Sequence, residues 1–131
     1  MIDEDMPKIF GLDTVNFDKK YYVIEGPIDS LFIDNSVAMA GADGNASGLE
    51  NTENAVFVFD NEPRNKEIVS RMERCLNKGY NICIWPEKLL DKDINDVILS
   101  GASPADVKRM IDDNTYRGLE GKLHLSYWKK C

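Results

Sequence analysis

Tyr21-Tyr22-Val23-Ile24-Glu25-Gly26-Pro27-Ile28-Asp29 reads as a strand, a tight exit and a helix start. Four β-branched or aromatic residues in a row suit a strand buried on both faces. Glu25 closes the run and Gly26 permits a tight turn. Pro27 suits a first helical position, where its missing amide hydrogen would have had no helical partner. Ile28, Leu31 and Phe32 then recur at helical spacing, which predicts a helix through about Asn35. Asp29 falls in its first turn, where the helix dipole favours negative charge. A second stretch answers the first. Ala55-Val56-Phe57-Val58-Phe59-Asp60-Asn61-Glu62 is again a buried-looking strand that delivers acids at its carboxyl end.

Working outward, Ser36 to Gly41 reads as a short strand between these two, and Tyr80 to Trp85 as a fourth, ended by Pro86. Lys66 to Lys78 carries Ile68, Val69, Met72, Cys75 and Leu76 on one helical face, with Gly79 as its cap. A short helix is expected from near Asp93. Ser103-Pro104-Ala105-Asp106 is a second helix start, with a capping side chain, proline at the first position and an acid three residues after the cap. Phe10-Gly11-Leu12 suggests a small turn. Lys122 to Trp128 alternates, with Leu123, Leu125 and Tyr127 on one side, and reads as an edge strand or tail. The expected organisation is a lead-in at 1–20, a core at 21–100, and a helix and strand packed on it at 101–131.

Strand–helix alternation over this length implies an α/β fold: a parallel sheet of about four strands with helices on both faces. Ligands of such sheets sit beyond the carboxyl ends of the strands, where strand order reverses. For Glu25 and Asp60 to touch one ion, the first and third strands must be neighbours. The order 2-1-3-4 follows as the expectation.

The chain has 131 residues, enough for one domain with one core. With 43% hydrophobic and 30% charged residues it has globular composition, not that of a disordered chain. No apolar run approaches the ~20 residues of a membrane helix, and the acidic start Met1-Ile2-Asp3-Glu4-Asp5 lacks the basic flank of a secretory signal. The cysteines, Cys75, Cys83 and Cys131, show no CxxC spacing, which argues for a reducing cytoplasm and against structural zinc. The net charge of −7 is the opposite of what a self-sufficient nucleic-acid gripper carries.

Asp60 and Glu62 are one residue apart at a strand end. Glu25 and Asp29 are four apart across a turn, and Asp93 with Asn95 or Asp96 follows the fourth strand. Oxygen-only ligands suit Mg²⁺ or Mn²⁺ rather than zinc or copper. Carboxylates so close repel one another without a cation, and two ions can activate an attacking hydroxyl and stabilise a leaving oxygen in phosphoryl transfer. Taken singly, Asp29 also reads as a helix-dipole charge, Asp60 as a turn cap and Asp93 as a helix start. Lys92 and Arg64 are the nearest cations for substrate phosphates. The small, polar loop around Gly41 and Gly44 can bring amide hydrogens to phosphates or serve as plain connection. His124 is given no catalytic role.

Together, Val23-Ile24-Glu25-Gly26-x-x-Asp29, the glycine-ended second strand, Phe59-Asp60-x-Glu62 and Lys92-Asp93-x-Asn95 resemble the TOPRIM domain, across roughly residues 20–100. That Rossmann-like domain is shared by bacterial-type primases, type IA and type II topoisomerases, recombination mediators and certain nucleases. Tyr22 to Phe32, Ala40-Gly41-Ala42-Asp43-Gly44 and Leu123 to Lys130 look most similar to the replicative primases of tailed phages. Glu62 stands where Asp is usual in the family.

The resemblance implies the C-terminal catalytic portion of such a primase. Its expected chemistry is joining of nucleoside triphosphates into an RNA primer in the host cytoplasm. Glu25, Asp60 and Glu62 would hold two Mg²⁺ or Mn²⁺ ions, with Asp29 and Asp93 in support and Lys92, Arg64, Gly41 and Gly44 toward the nucleotide. Single-stranded DNA template would be held mainly by N-terminal domains beyond this sequence, and a replicative helicase is a further candidate partner. No membrane is implied. A small TOPRIM nuclease and a non-catalytic interaction module are the rival readings.

Overall fold

Tyr21–Ile24 (β2) and Ala55–Val58 (β4) lie side by side and parallel at the centre of a six-stranded sheet. In the computed structural model the described residues are 8–10, 15–24, 32–40, 51–86, 89 and 93–130. The other strands are Lys8–Phe10 (β1), Ser36–Ala40 (β3), Asn81–Cys83 (β5) and Thr115–Tyr116 (β6). The sheet runs β1-β3-β2-β4-β5-β6. Its middle four strands are parallel, in the order expected from sequence, and β1 and β6 pair antiparallel at the two edges.

Both faces are covered, making this a Rossmann-like α/β fold. Tyr21, Val23, Ala55, Phe57 and Ile82 pack beneath Lys66–Asn77 (α1) and Gly118–Trp128 (α4). Their neighbours Tyr22, Ile24, Val56, Val58 and Cys83 point the other way, beneath Ile94–Leu99 (α2) and Pro104–Asp113 (α3). The pleat sends successive side chains to opposite faces, so strands with apolar residues at every position need helices on both sides. Each fully buried large side chain contributes roughly 1.5–3 kcal/mol. Burial pushes the thiol of Cys75 up to about 11 and that of Cys83 further still. The phenol of Tyr22, whose ionisation is pushed up first by burial and then by Asp112, is also satisfied. Tyr22 donates from its hydroxyl to Asp112 at 2.6 Å, and Lys20 pairs with the same carboxylate at 3.0 Å.

The helix ends follow local chemistry. The Asn65 side chain accepts from the Glu67 and Ile68 amides at the start of α1. At its end Gly79 takes φ +81°, with its amide donating to Leu76 O and that of Tyr80 to Cys75 O, both at 3.0 Å. This paired closure needs a left-handed residue, which glycine adopts at least cost. Ser103 and Asp106 form the expected reciprocal capping box on α3.

Two local expectations are corrected. Lys122 to Trp128 is not an edge strand or tail but the body of α4. Its buried residues are Gly121, Leu125 and Trp128, at helical spacing, while Leu119, Leu123 and Tyr127 are 84%, 55% and 66% exposed. Two apolar rows on different sides of one helix imitate the alternation of a strand. A Cβ at Gly121 would come 2.5 Å from Leu76 Cδ2, so α4 lies close against α1 there. Of the small turn expected at Phe10-Gly11-Leu12, Phe10 ends β1, paired with β3, and the other two residues lie outside the described residues. Residues 32–35 form a turn and bends rather than the end of a helix, and Asn35 takes φ 54°. Its side chain accepts from the Asn16 amide and donates to Lys20 O, reasons for that conformation which lie elsewhere in the chain. The first part of that expected helix lies outside the described residues.

Two measurements check this description. Urea unfolding should show Leu125→Ala destabilised by about 2–4 kcal/mol and Leu123→Ala by no more than ~0.5 kcal/mol; a strand would not separate the two. The Asp106 carboxyl is held below its ordinary range, first by the Ser103 amide and then by the Ser103 hydroxyl. A carboxyl with a lowered folded value stabilises above its unfolded value and loses that contribution as pH falls through the lowered one. Thermal melts of wild type and Asp106→Ala should therefore differ at neutral pH and converge in acid.

Candidate functional site

The carboxyl ends of β2 and β4 emerge at the same edge, because Ile24 pairs directly with Val58. That is the arrangement a site shared between the two strands requires. Glu25 is the next residue after Ile24. It lies outside the described residues, as do Asp29, Gly41, Gly44 and Lys92. Asp60, Glu62, Arg64 and Asp93 are described, and their surroundings can be built residue by residue.

Beyond β4 the chain does not run free. Phe59 O accepts a buried 2.7 Å bond from Trp85 Nε1, which ties the strand's last turn to the segment after β5. The Glu62 amide donates to Asp60 O at 2.9 Å, and the Asn65 amide donates to Glu62 O at 3.0 Å. Two consecutive backbone turns thus carry both acids into the start of α1. Asn65 Nδ2 lies 3.5 Å from Glu62 Oε2 while Asn65 Oδ1 caps the helix. Asp60 and Glu62 are both half-buried, so each retains access to solvent.

Asn61, between the two acids, uses both ends of its amide. Its Nδ2 donates to Leu89 O at 2.9 Å, and its Oδ1 accepts from Trp128 Nε1 at 3.2 Å. Lys130 donates its backbone amide to Pro63 O at 2.7 Å. The far end of the chain therefore grips the acid-bearing turn at two places. Beside this turn lies a cleft of about 680 Å³, whose walls include Glu62, Arg64, Pro86, Leu89, Trp128 and Lys130. Its volume is that of an ordinary small-molecule site, roughly 300–1,000 Å³.

Asp93 serves as the N-cap of α2, accepting from the Asp96 amide at 2.9 Å, the helix-start role that its sequence context also suggested. Among the described residues, no group of three or more His, Cys, Asp or Glu side chains is close enough to hold a metal ion. Asp60 and Glu62 come together on one turn; Asp93 does not complete a three-acid group with them, and a full set needs a ligand from elsewhere. Arg64 sits exposed at the cleft wall. His124 stacks on Tyr116, with ring centroids 3.8 Å apart.

Sequence reading missed Asn61, Trp128 and Lys130. Asn61 carried no signal beyond its place between two acids. Trp128 carried one: a buried indole N–H needs an acceptor. The identity of that acceptor is decided only by where α4 packs.

No protein-family model matches the chain. Over 125 residues, 94% of this chain, the sequence is 36% identical to the DNA primase of Enterobacteria phage T4. The matched stretch is 36% of that primase, so the chain spans about a third of the relative's length. The chain is thus related to a region of a phage DNA primase.

The cap at Asn65 gives a direct check on this edge of the sheet. Asn65→Ala should lower stability by about 1 kcal/mol in urea unfolding, the usual cost of an N-cap. It should also loosen the turn that bears Glu62, seen as faster exchange of the Glu62 amide.

Proposed function

We propose that this chain is the metal-binding, nucleotidyl-transferring part of a DNA primase, built on a TOPRIM-type domain. The observation that carries the reading is the parallel register of β2 on β4, with Ile24 opposite Val58. It brings the strand that leads into Glu25 beside the strand that leads into Asp60 and Glu62. The likeness to a phage primase over 94% of the chain supports the same assignment.

The donor set fits a hard divalent cation. Asp60 and Glu62 offer carboxylate oxygens only, both partly open to solvent, on one short turn at the switch point of the sheet. Glu25 supplies the third carboxylate from the neighbouring strand. Asp29 and Asp93 act in support, the latter while also capping α2. Bound there, Mg²⁺ or Mn²⁺ would neutralise charge on the substrate phosphates and favour the ionised form of an attacking hydroxyl.

The reaction is attack of a primer 3′-hydroxyl on the α-phosphate of a nucleoside triphosphate, with pyrophosphate leaving. Arg64 and Lys92 contact the phosphates, and the loop with Gly41 and Gly44 offers backbone amides to them. The balance of −7 supports a reading in which other primase regions hold most of the template, since phosphate backbones are held by basic side chains. Single-stranded DNA and a replicative helicase are the partners that this reading implies.

A Mn²⁺ titration followed by electron paramagnetic resonance tests the site. Wild type should bind Mn²⁺, and Glu25→Ala or Asp60→Ala should each weaken binding by roughly 10–100-fold, the range that even outer partners of metal ligands command. Primer synthesis, assayed with the remaining primase regions supplied, should be lost in both. Unchanged Mn²⁺ affinity in both variants would sink the assignment, and plasmid nicking by the chain alone would move it to a nuclease.

A further inference from the structure

We infer that the segment Trp128–Lys130 is a positioning latch for the acid-bearing turn, holding Asp60 and Glu62 in the arrangement that receives a divalent ion. The inference rests on the proposed metal site and names what sets that site's geometry.

Trp128 Nε1 reaches Asn61 Oδ1 across 67 positions of sequence, and the Lys130 amide reaches Pro63 O at 2.7 Å. Asn61 sits between Asp60 and Glu62, and Pro63 follows Glu62 directly, so the two bonds bracket the second acid. The same Asn61 amide is held from its other end by Leu89 O. Trp128 is itself anchored, 3% exposed in the core beneath α1 and α4, and Lys129 pairs with Glu73 of α1 at 3.5 Å. The latch therefore refers the turn to a fixed point in the core rather than to another loop.

Two carboxylates on one short turn repel each other when no cation lies between them. Ligands held in place before the ion arrives bind it more tightly than ligands that must be ordered by it. One net hydrogen bond biases a local equilibrium by roughly fivefold. That bias is enough to be read in metal affinity, and too small to decide whether the whole domain folds.

Lys130 allows one bond to be removed cleanly. Lys129 already has φ −66° and ψ 145°, the extended conformation favoured before proline. Lys130→Pro deletes the amide donor to Pro63 O, while Lys130→Gln keeps the donor and removes only the charge. Trp128→Phe deletes the indole donor and keeps an aromatic ring. The readouts are Mn²⁺ affinity, hydrogen exchange at the Glu62 and Asn65 amides, and the melting temperature without metal.

Lys130→Pro should weaken Mn²⁺ binding about fivefold and speed exchange at Glu62 and Asn65, with a melting temperature close to wild type. Trp128→Phe should do the same at some cost in melting temperature, and Lys130→Gln should match wild type in both affinity and exchange. If wild type binds Mn²⁺ and Lys130→Pro binds it equally well with unchanged exchange, the latch is overturned and the metal site stands. An equal loss in Lys130→Gln and Lys130→Pro overturns it too, by transferring the effect to charge. A wild-type protein that binds no Mn²⁺ overturns the metal site itself, and the positioning role with it.

Discussion

The pairing of β2 with β4 is the constraint on which the rest depends. Tyr21 faces Ala55, Tyr22 faces Val56, Val23 faces Phe57 and Ile24 faces Val58. Every one of these residues is buried, odd positions on one face and even positions on the other. A slip of one residue would send Phe57 toward α2 and α3 and Val56 toward α1 and α4, against packing shaped for the opposite set. Register is therefore fixed by the core, and the strands' exits at the carboxyl edge are fixed with it. Chemistry at that edge inherits its geometry from apolar packing several residues below.

Stability and site meet again at α4. Its inner row of Gly121, Leu125 and Trp128 completes the core over α1, and Gly121 is small enough for the two helices to approach. The same helix carries Trp128 to the acid-bearing turn, where the indole N–H finds Asn61. Trp85 repeats the device from the other face, donating to Phe59 O at the end of β4. Two tryptophans, each buried with its N–H satisfied by the loop after β4, hold the route from the strand to α1. Large rings supply the burial, and their single polar atoms supply the direction.

Much of the fold is legible in the residues because local signals agree. Runs such as Val56-Phe57-Val58, the Ser103–Asp106 box and Gly79 each specify an element or its end without outside help. The expected order of the central strands rests on one requirement, that Glu25 and Asp60 reach the same site. The edges are less legible. β1 and β6 are three and two residues long and exist by pairing with a neighbour, so their own composition says little. The stretch from Lys122 to Trp128 misleads because its outer row is apolar too, which erases the contrast that usually separates a helix from a strand. Of the site, acid type and spacing could be read directly. The tie from Trp128 to Asn61 could not, since a hydrogen bond across 67 residues leaves no periodic trace.

The sequence by itself determined the chemistry on offer: oxygen donors after two buried strands, a net charge of −7, and the ends of helices marked by Gly79, Asp93 and Ser103. These are properties of residue type and near-neighbour spacing. Only the tertiary structure decided which short strands flank the central four, which row of α4 faces inward and what grips the turn that carries Asp60 and Glu62. Those outcomes depend on excluding water from surfaces far apart in the chain, and that burial selects among pairings which local sequence leaves equally open.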